Sequence, residues 1–330
     1  MIIFKFSSQH LQVDSVYQDV VRGLKVFQLL DGYDVTVFSH TFETEEALAL
    51  ALAPFDALVL IRERTVITEP LLARCPNLKL ISQTGKVSNH IDVDLCHRYD
   101  VEIAEGIGSP TAPAELCWAL IMSASRHIPQ YITQFQQGYW QQNDGLGLGR
   151  VLAGQTLGIW GYGKIGQKIA QYAKVFGMPV LVWGSEASRQ LAGEHGFSAA
   201  ESQAEFFASA DIISLHLRLN EATRGIVTYQ DLAAMKSDAL FVNTSRAELV
   251  EPNALYRAMT ECPTRLAAVD VYEQEPCEAG TQPLLNLTNV LCTPHLGYVE
   301  RQSYELYFKH TFDNVVAFAK GQPTNLVARQ

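Results

Sequence analysis

The feature that most constrains the fold of this chain is a ten-residue segment, residues 157–166, in which an apolar run of strand length leads directly into three glycines. These glycines, Gly161, Gly163 and Gly166, have the spacing G-x-G-x-x-G, and a stretch with helical periodicity follows at residues 167–175. A strand, a glycine turn and a helix in this order are typical of βαβ units that bind dinucleotides. The first glycine permits a tight turn, the second lets the backbone approach a pyrophosphate, and the third lets the helix close on the sheet. The helix N-terminus adds free N–H groups and a positive dipole.

Apolar runs of strand length alternate with helix-like stretches along most of the chain. The predicted strands are residues 35–38, 57–61, 78–81, 101–103, 157–160, 180–183, 211–215, 239–242, 266–269 and 290–292. Such alternation predicts parallel sheets that are covered on both faces by helices. The sequence therefore predicts an α/β fold with two parallel-sheet domains of the Rossmann or flavodoxin type. Between them we expect an interdomain cleft, where small ligands commonly bind.

The length of 330 residues agrees with about two domains. The alternation breaks at residues 106–113, which are rich in glycine, serine and proline and are typical of a hinge. We expect residues 1–106 and 296–330 to form a substrate-binding domain, in which residues 301–320 have the periodicity of a helix. Residues 107–295 are expected to form the NAD(P)-binding Rossmann domain.

Composition and charge exclude several classes of function. The chain carries 35 acidic and 25 basic residues, which gives a net charge of −10. An acidic surface repels phosphate backbones and anionic lipid headgroups, so nucleic acid and membranes are not expected as partners. No apolar run suits a membrane span. The six cysteines are scattered, without a C-x-x-C pair or zinc-like spacing, which predicts reduced thiols, no bound metal and a cytoplasmic location.

Polar residues follow three of the later predicted strands, in the segments V-N-T-S-R (residues 242–246), V-D-V-Y-E-Q-E-P (269–276) and C-T-P-H-L-G (292–297). Together with the glycine fingerprint, and in the same order, these segments resemble the signatures of the D-isomer-specific 2-hydroxyacid dehydrogenases. The resemblance extends from about residue 58 to near the C-terminus. It implies an NAD(P)-dependent oxidoreductase that interconverts a small 2-oxo acid and its D-2-hydroxy acid. The resemblance is to the glyoxylate/hydroxypyruvate reductases or the phosphoglycerate dehydrogenases, without the regulatory C-terminal domain of the latter.

Three residues in these segments have the side chains that the reduction of a 2-oxo acid requires. A cation must hold the substrate carboxylate and polarise the ketone, and the planar guanidinium of Arg246 suits that role. The alkoxide left by hydride addition needs a proton from a group that titrates near neutrality, which indicates His295 as general acid, and as base in the oxidation. Glu275 is the expected anion that keeps the imidazolium charged and oriented. The resemblance assigns the catalytic roles to the same three positions.

The glycine fingerprint and the resemblance also predict coenzyme contacts. The expected coenzyme-binding residues are Gly161, Tyr162, Gly163, Lys164, Ile165, Gly166, Gly184, Ser185, Glu186, His216, Thr244 and Asp270. From similar proteins, Asp270 is expected near the nicotinamide carboxamide. His216 ends a predicted strand beside the adenine pocket, where Arg218 replaces the proline that is usual in the family, so the adenosine contacts stay open.

The choice between NAD and NADP depends on the end of the second strand of this domain. An NAD site usually has an acid there, which holds the ribose hydroxyls. Here Gly184 ends the strand, and Glu186 follows two residues later. Glu186 is a candidate for the NAD ribose, whereas Arg189 and Arg218 are candidates for the 2′-phosphate of NADP. We favour NAD and keep NADP as the alternative.

The first domain is expected to complete the substrate site. The residues Gly85, Lys86 and Val87 resemble a loop whose backbone N–H groups hold the substrate carboxylate, although a second glycine is usual in place of Val87. Lys86 either adds a cation for a second acidic group or points to water. Arg62 belongs to a segment that similar proteins present to the substrate, and an ion pair with Glu63 is the alternative.

A second class of function, a nucleotide-sensing regulatory protein on the same fold, is compatible with the sequence, because fold alone does not determine function. Residues 114–126, an apolar-rich predicted helix, and the glutamine- and glycine-rich loop at residues 134–150 resemble the dimer contact of the family. We therefore expect a homodimer whose small-molecule partner is a 2-oxo acid or a 2-hydroxy acid.

Overall fold

The computed structural model describes residues 2–5, 12–13, 24–38, 42–61, 65–87, 90–277 and 280–328. The chain divides into two compact units. Unit 1 consists of Met1–Ser109 and Glu300–Gln330, and unit 2 is Pro110–Val299. Each boundary lies a few residues further along the chain than the position expected from the sequence.

The regular elements alternate along the chain in both units. The strands are β1 (Ile2–Lys5), β2 (Gln12–Val13), β3 (Asp34–Val37), β4 (Ala57–Leu60), β5 (Leu80–Gln83), β6 (Glu102–Glu105), β7 (Leu157–Trp160), β8 (Val180–Trp183), β9 (Ser198–Ala199), β10 (Ile212–Leu215), β11 (Leu240–Asn243), β12 (Leu266–Val269) and β13 (Val290–Cys292). The α-helices are α1 (Glu45–Leu52), α2 (Glu69–Ala73), α3 (Val93–Arg98), α4 (Thr111–Ser125), α5 (Ile128–Gln136), α6 (Lys164–Val175), α7 (Glu186–Glu194), α8 (Gln203–Ser209), α9 (Tyr229–Ala234), α10 (Ala254–Glu261) and α11 (Arg301–Ala319). Short 3₁₀ helices cover Lys25–Leu30, Ala247–Leu249 and Pro283–Asn286.

Unit 1 contains a six-stranded sheet in the order β2-β3-β1-β4-β5-β6. Its first strand, β1, runs antiparallel to both of its neighbours, β3 and β4, while the remaining pairs are parallel. The C-terminal helix α11 packs on this sheet: the buried Ser82 hydroxyl of β5 donates a hydrogen bond to the Thr311 carbonyl oxygen (3.2 Å). The rings of Phe308 and Phe312 stack at 5.4 Å within its buried face. The end of the chain therefore belongs to the core of the first unit.

Unit 2 contains a seven-stranded sheet in the order β13-β12-β11-β10-β7-β8-β9, and every pair in it is parallel. The four central strands are buried along their whole length, as expected for a sheet covered on both faces. Leu157 and Ile159 of β7 pack in the core on one face, whereas Trp160 packs against Phe206 and Phe207 on the other. The strand order reverses beside β7, and ligands of doubly wound folds bind at the carboxyl edge of such a reversal.

The predicted strand bounds agree with the structure for β7, β8, β12 and β13, and the others differ by a few residues. The predicted helix at residues 114–126 is α4, which begins at Thr111. The predicted loop at residues 134–150 begins inside α5, a helix that the sequence analysis did not identify. Within the described part of the chain, no helix is both long and apolar enough to cross a membrane.

Candidate active site

The glycine loop between β7 and α6 has the geometry that its sequence predicts. Gly161 has a φ of +101°, and a Cβ atom there would lie 2.5 Å from the carbonyl oxygen of His216. A Cβ on Gly166 would lie 2.2 Å from the Gly161 carbonyl oxygen, so the third glycine is required for the helix to close on the strand. A Cβ on Gly163 would meet no atom within 4 Å. The backbone at Gly163 therefore faces open space at the N-terminus of α6, which fits the pyrophosphate of a dinucleotide.

Tyr162 differs from its neighbours in this loop, because its side chain is buried in the core. Its hydroxyl lies 3.0 Å from Nδ1 of His195, and its ring packs edge-on against Phe197. Only the backbone of Tyr162 is thus available to a coenzyme. Lys164 and Ile165 form the first turn of α6, where backbone N–H groups are not used within the helix.

The end of β8 explains why an acid is missing from its usual position. Gly184 has a φ of +148°, a conformation that an aspartate would adopt only with strain. The hydroxyl of Ser185 caps α7 by accepting a hydrogen bond from the Ser188 N–H (3.3 Å). Glu186 is exposed in the first turn of α7. The guanidinium of Arg189 lies over the Trp183 ring at 5.0 Å, a cation–π contact.

A buried polar chain lies beneath the carboxyl ends of β10 and β11. The Ser214 hydroxyl lies 3.0 Å from Nε2 of His216 and 3.2 Å from the Cys117 sulfur. Burial lowers the pKa of His216 to about 4, so this histidine is neutral at neutral pH. Thr244, directly after β11, is half-buried and helps to lower the pKa of the Cys117 thiol, against the larger effect of burial, which raises it. These residues lie at the sheet edge where the sequence predicts coenzyme contacts.

Arg246 follows β11 in a turn that the buried Asn243 side chain holds. The Asn243 amide nitrogen donates to the Arg246 carbonyl oxygen (2.8 Å), and its amide oxygen accepts from the Ser245 N–H (3.0 Å). The half-buried Arg246 guanidinium donates from Nη1 to the Ser245 carbonyl oxygen (2.7 Å). The charge of Arg246 helps to lower the pKa of Glu275, so these two groups share one electrostatic environment.

His295 and Glu275 form a close pair. Nδ1 of His295 lies 2.5 Å from Oε2 of Glu275, and Oε1 of Glu275 accepts a hydrogen bond from the Tyr272 N–H (3.0 Å). Burial alone would raise the pKa of Glu275, but the hydrogen bond and charge of His295 outweigh it, so the pKa lies below its ordinary value. Because Nδ1 is engaged, Nε2 is the ring nitrogen that remains for a ligand. The pair thus has the arrangement of a general acid–base with an orienting carboxylate.

Asp270 determines the conformation of the loop that carries His295. It is fully buried and accepts three hydrogen bonds, from the Thr293 hydroxyl (2.6 Å), the Leu296 N–H (2.7 Å) and the Gly297 N–H (2.9 Å). His295 itself has a φ of +52°, a left-handed conformation that is uncommon for a residue with a side chain. Burial raises the pKa of Asp270 even though these three bonds favour its carboxylate. The sequence analysis missed this supporting role, and the predicted contact with the nicotinamide stays a prediction.

The predicted substrate loop of unit 1 is bound by a residue that the sequence analysis did not single out. The Val87 N–H donates to Oε1 of Glu105 (2.8 Å), and the Lys86 ammonium pairs with Oε2 of the same carboxylate. The Gly85 carbonyl oxygen accepts from the Gly106 N–H (2.9 Å). Lys86 pairs within the protein while its side chain stays 69% exposed to solvent, which agrees with the predicted alternative that it points to water, and its role as a cation for a substrate stays a prediction. Arg62 lies outside the described residues, so its predicted role stays a prediction.

The fold and the strand-edge residues define a two-unit, dinucleotide-binding oxidoreductase, and comparisons with known proteins agree. Residues 118–297 match the family model described as D-isomer specific 2-hydroxyacid dehydrogenase, NAD binding domain. The chain is 33% identical to a glyoxylate reductase from Aeropyrum pernix over 307 residues, which cover 90% of each chain. It is 32% identical over 288 residues to a D-3-phosphoglycerate dehydrogenase from Methanocaldococcus jannaschii, of which it spans 53%.

A solved structure extends the comparison to the whole fold. The crystal structure of phosphoglycerate oxidoreductase from Vibrio cholerae o395 is 68% identical, with a TM-score of 0.91 over 94% of this chain and 99% of that chain. The chain belongs to the family of D-isomer-specific 2-hydroxyacid dehydrogenases. It is therefore an NAD(P)-dependent enzyme that interconverts 2-oxo acids and D-2-hydroxy acids. This confirms the family, the α/β fold and the NAD(P) coenzyme predicted from the sequence.

Proposed function

We propose that this enzyme reduces small 2-oxo acids such as glyoxylate and hydroxypyruvate, with Arg246, Glu275 and His295 as its catalytic residues. The observation that supports the proposal most strongly is the 2.5 Å pair of His295 and Glu275, on a loop that the buried Asp270 fixes. His295 also has a left-handed backbone conformation, with a φ of +52°. Strained conformations of this kind are found preferentially at functional sites, where the surrounding structure enforces them.

The reaction divides naturally among these side chains. The bound nicotinamide coenzyme supplies the hydride that adds to C2 of the substrate. The Arg246 guanidinium binds the substrate carboxylate and polarises the ketone oxygen, because its planar donors match both acceptors. His295 donates a proton from Nε2 to the ketone oxygen as the C2–H bond forms, and accepts it in the reverse direction. Glu275, bonded to Nδ1, stabilises the imidazolium before the transfer and fixes its orientation.

For the coenzyme, we propose a preference for NADH, with Glu186 as the acid that receives the adenosine ribose hydroxyls. Glu186 is exposed at the start of α7, and the Arg189 guanidinium is already engaged by Trp183. A 2′-phosphate would meet the Glu186 charge, which disfavours NADPH. Quenching of protein fluorescence by NADH and NADPH tests this: Glu186→Gln is expected to weaken NADH binding and strengthen NADPH binding. Unchanged affinities for both would contradict the assignment.

We also propose that the enzyme is a cytoplasmic homodimer. Helix α5 has no buried residue, and apolar side chains on it and just beyond it are exposed, among them Phe135 (62%), Trp140 (74%) and Leu148 (93%). The rings of Phe135 and Trp140 lie against each other at 5.8 Å, and exposed apolar clusters of this kind indicate a protein–protein contact. The six cysteines are free thiols, in agreement with a reducing compartment. Light scattering on the purified protein tests the dimer, and a monomer, or a dimer unaffected by Phe135→Glu with Trp140→Glu, would contradict it.

The proposed reaction is tested by following the loss of reduced-nicotinamide absorbance with glyoxylate, hydroxypyruvate and phosphohydroxypyruvate. The last substrate is included because the similar Vibrio cholerae protein is called a phosphoglycerate oxidoreductase. Arg246→Ala is the blank, and it should abolish turnover while NADH binding persists. Tight coenzyme binding without turnover of any 2-oxo acid would instead favour the nucleotide-sensing alternative.

A further inference from the structure

Glu105 lies at the end of β6, beside the loop that follows β5. The two strands are in register, with Gln83 opposite Glu105. The next residue, Gly106, is so close to the loop that a Cβ atom on it would lie 2.7 Å from the Gln83 carbonyl oxygen. The backbone therefore brings the Glu105 side chain against the loop, where its two oxygens contact the Val87 N–H and the Lys86 ammonium.

This contact shows what kind of ligand the loop accepts. One backbone N–H and one ammonium bind a single carboxylate, one donor to each oxygen. Charge-assisted bonds of this type are stronger than neutral ones. The Lys86 side chain is 69% exposed and that of Glu105 is 21% exposed, so solvent reaches the pair. A dissolved carboxylate therefore has access to the Lys86 ammonium, and it competes with Glu105 for this donor.

We propose that Glu105 occupies the carboxylate subsite of unit 1 and thereby controls the affinity for the substrate, so that a 2-oxo acid binds only by displacing it. The proposal rests on the proposed function, since it takes the loop as a substrate subsite. Displacement breaks the bonds of Glu105 to the Val87 N–H and the Lys86 ammonium. The incoming carboxylate then forms bonds to the same two donors. Binding is therefore an exchange of one carboxylate for another, and this exchange weakens the affinity for the substrate without changing the proton-transfer residues of unit 2.

The variant Glu105→Gln tests the exchange. Glutamine keeps the length of the side chain and an oxygen for the Val87 N–H, but it removes the charge that holds Lys86. We expect the KM for hydroxypyruvate to fall about 3- to 10-fold, while kcat stays within about twofold, because a neutral acceptor competes less well than a carboxylate. An unchanged or higher KM would overturn the proposal.

Glu102→Gln is the matched control. Glu102 lies on the same strand, three residues away and hence on the opposite face, and its side chain is 27% exposed. Glu102→Gln removes one negative charge from the same strand without touching the loop. It therefore measures how much the long-range electrostatic effect of a lost charge changes the KM for an anionic substrate. A KM that falls equally in both variants would therefore overturn the proposal, because the effect would not depend on the loop.

A binding measurement separates this proposal from the proposed function. Calorimetric titration of the protein–NADH complex with oxalate, a two-carbon dicarboxylate without a reducible ketone, requires no turnover. We expect the Kd for oxalate to fall in Glu105→Gln by the same factor as the KM, with thermal melting unchanged. If wild-type protein turns over no 2-oxo acid, the proposed function fails, whereas an oxalate Kd that is equal in both proteins refutes the role of Glu105 alone.

Discussion

Each unit holds a carboxylate against a donor that we propose to be functional, and the two cases differ in what the donor is. In unit 2, Glu275 bonds the imidazole of His295, a side chain with its own acid–base chemistry. In unit 1, Glu105 bonds the backbone N–H of Val87, together with the Lys86 ammonium. An imidazole can be recognised in a sequence, but a backbone N–H is present at nearly every residue. We infer from this comparison that unit 2 provides the chemistry and that unit 1 provides substrate binding, and this division can be tested.

The largest effect is expected from His295→Gln. Loss of the general acid should lower kcat for 2-oxo acid reduction by about 10²- to 10⁴-fold, because proton transfer to the ketone oxygen is lost. The dissociation constant of NADH, measured by fluorescence, should not change. His310→Gln, a partly exposed histidine on α11 of unit 1, serves as the control. Equal activity of the two variants would mean that His295 is not the general acid.

Replacement of the buried Asp270 by asparagine should have the next largest effect. The amide nitrogen would take the place of one carboxylate oxygen and meet a backbone N–H of the His295 loop, donor against donor. We expect the free energy of unfolding to fall by about 1–3 kcal/mol, the cost of an unsatisfied buried group. We also expect kcat to fall about 10- to 100-fold, because His295 loses its fixed position. Urea denaturation measures the free energy of unfolding, and steady-state rates measure kcat. Wild-type values of both quantities in Asp270→Asn would show that the His295 loop does not depend on the Asp270 carboxylate.

Two glycines of the coenzyme loop separate folding from binding within unit 2. Gly166→Ala places a methyl group against the Gly161 carbonyl oxygen and should destabilise the fold by about 1–3 kcal/mol. Gly163→Ala meets no protein atom within 4 Å, so its thermal stability should match wild type. Its NADH affinity should nevertheless fall, because the methyl group fills space beside the proposed pyrophosphate site. The prediction fails if Gly163→Ala melts as early as Gly166→Ala.

The smallest effect concerns the pH dependence of stability. The pKa of Glu275 is lowered in the folded protein, so its pair with His295 stabilises the fold fully above the ordinary pKa of 4.5. That contribution disappears as the pH falls through the lowered pKa and the carboxylate is protonated. The difference in melting temperature between wild type and Glu275→Gln should thus be present at neutral pH and vanish in strong acid. A difference that persists unchanged in acid would mean that the charge of Glu275 does not matter.

The sequence predicted those parts of the molecule that depend on local pattern. Buried runs such as β7 and β12 have the predicted bounds, because an apolar run flanked by turns specifies a strand by itself. The antiparallel direction of β1 was not predictable, since strand direction depends on neighbours distant in the sequence. The roles of Asp270 and Glu105 were missed for the same reason. Each carboxylate acts on the backbone of a loop that only the folded chain brings beside it.

The most direct test of the central claim is the chirality of the product. Wild-type enzyme is incubated with hydroxypyruvate and NADH, and the glycerate formed is resolved by chiral chromatography, with Arg246→Ala as the blank. Membership of the D-isomer-specific family predicts D-glycerate as the product, and the proposed site predicts stoichiometric turnover by the wild type and none by the variant. L-glycerate or a mixture of both isomers would contradict the D-specific reaction, and D-glycerate formed equally well by Arg246→Ala would contradict the assignment of the reaction to Arg246, Glu275 and His295.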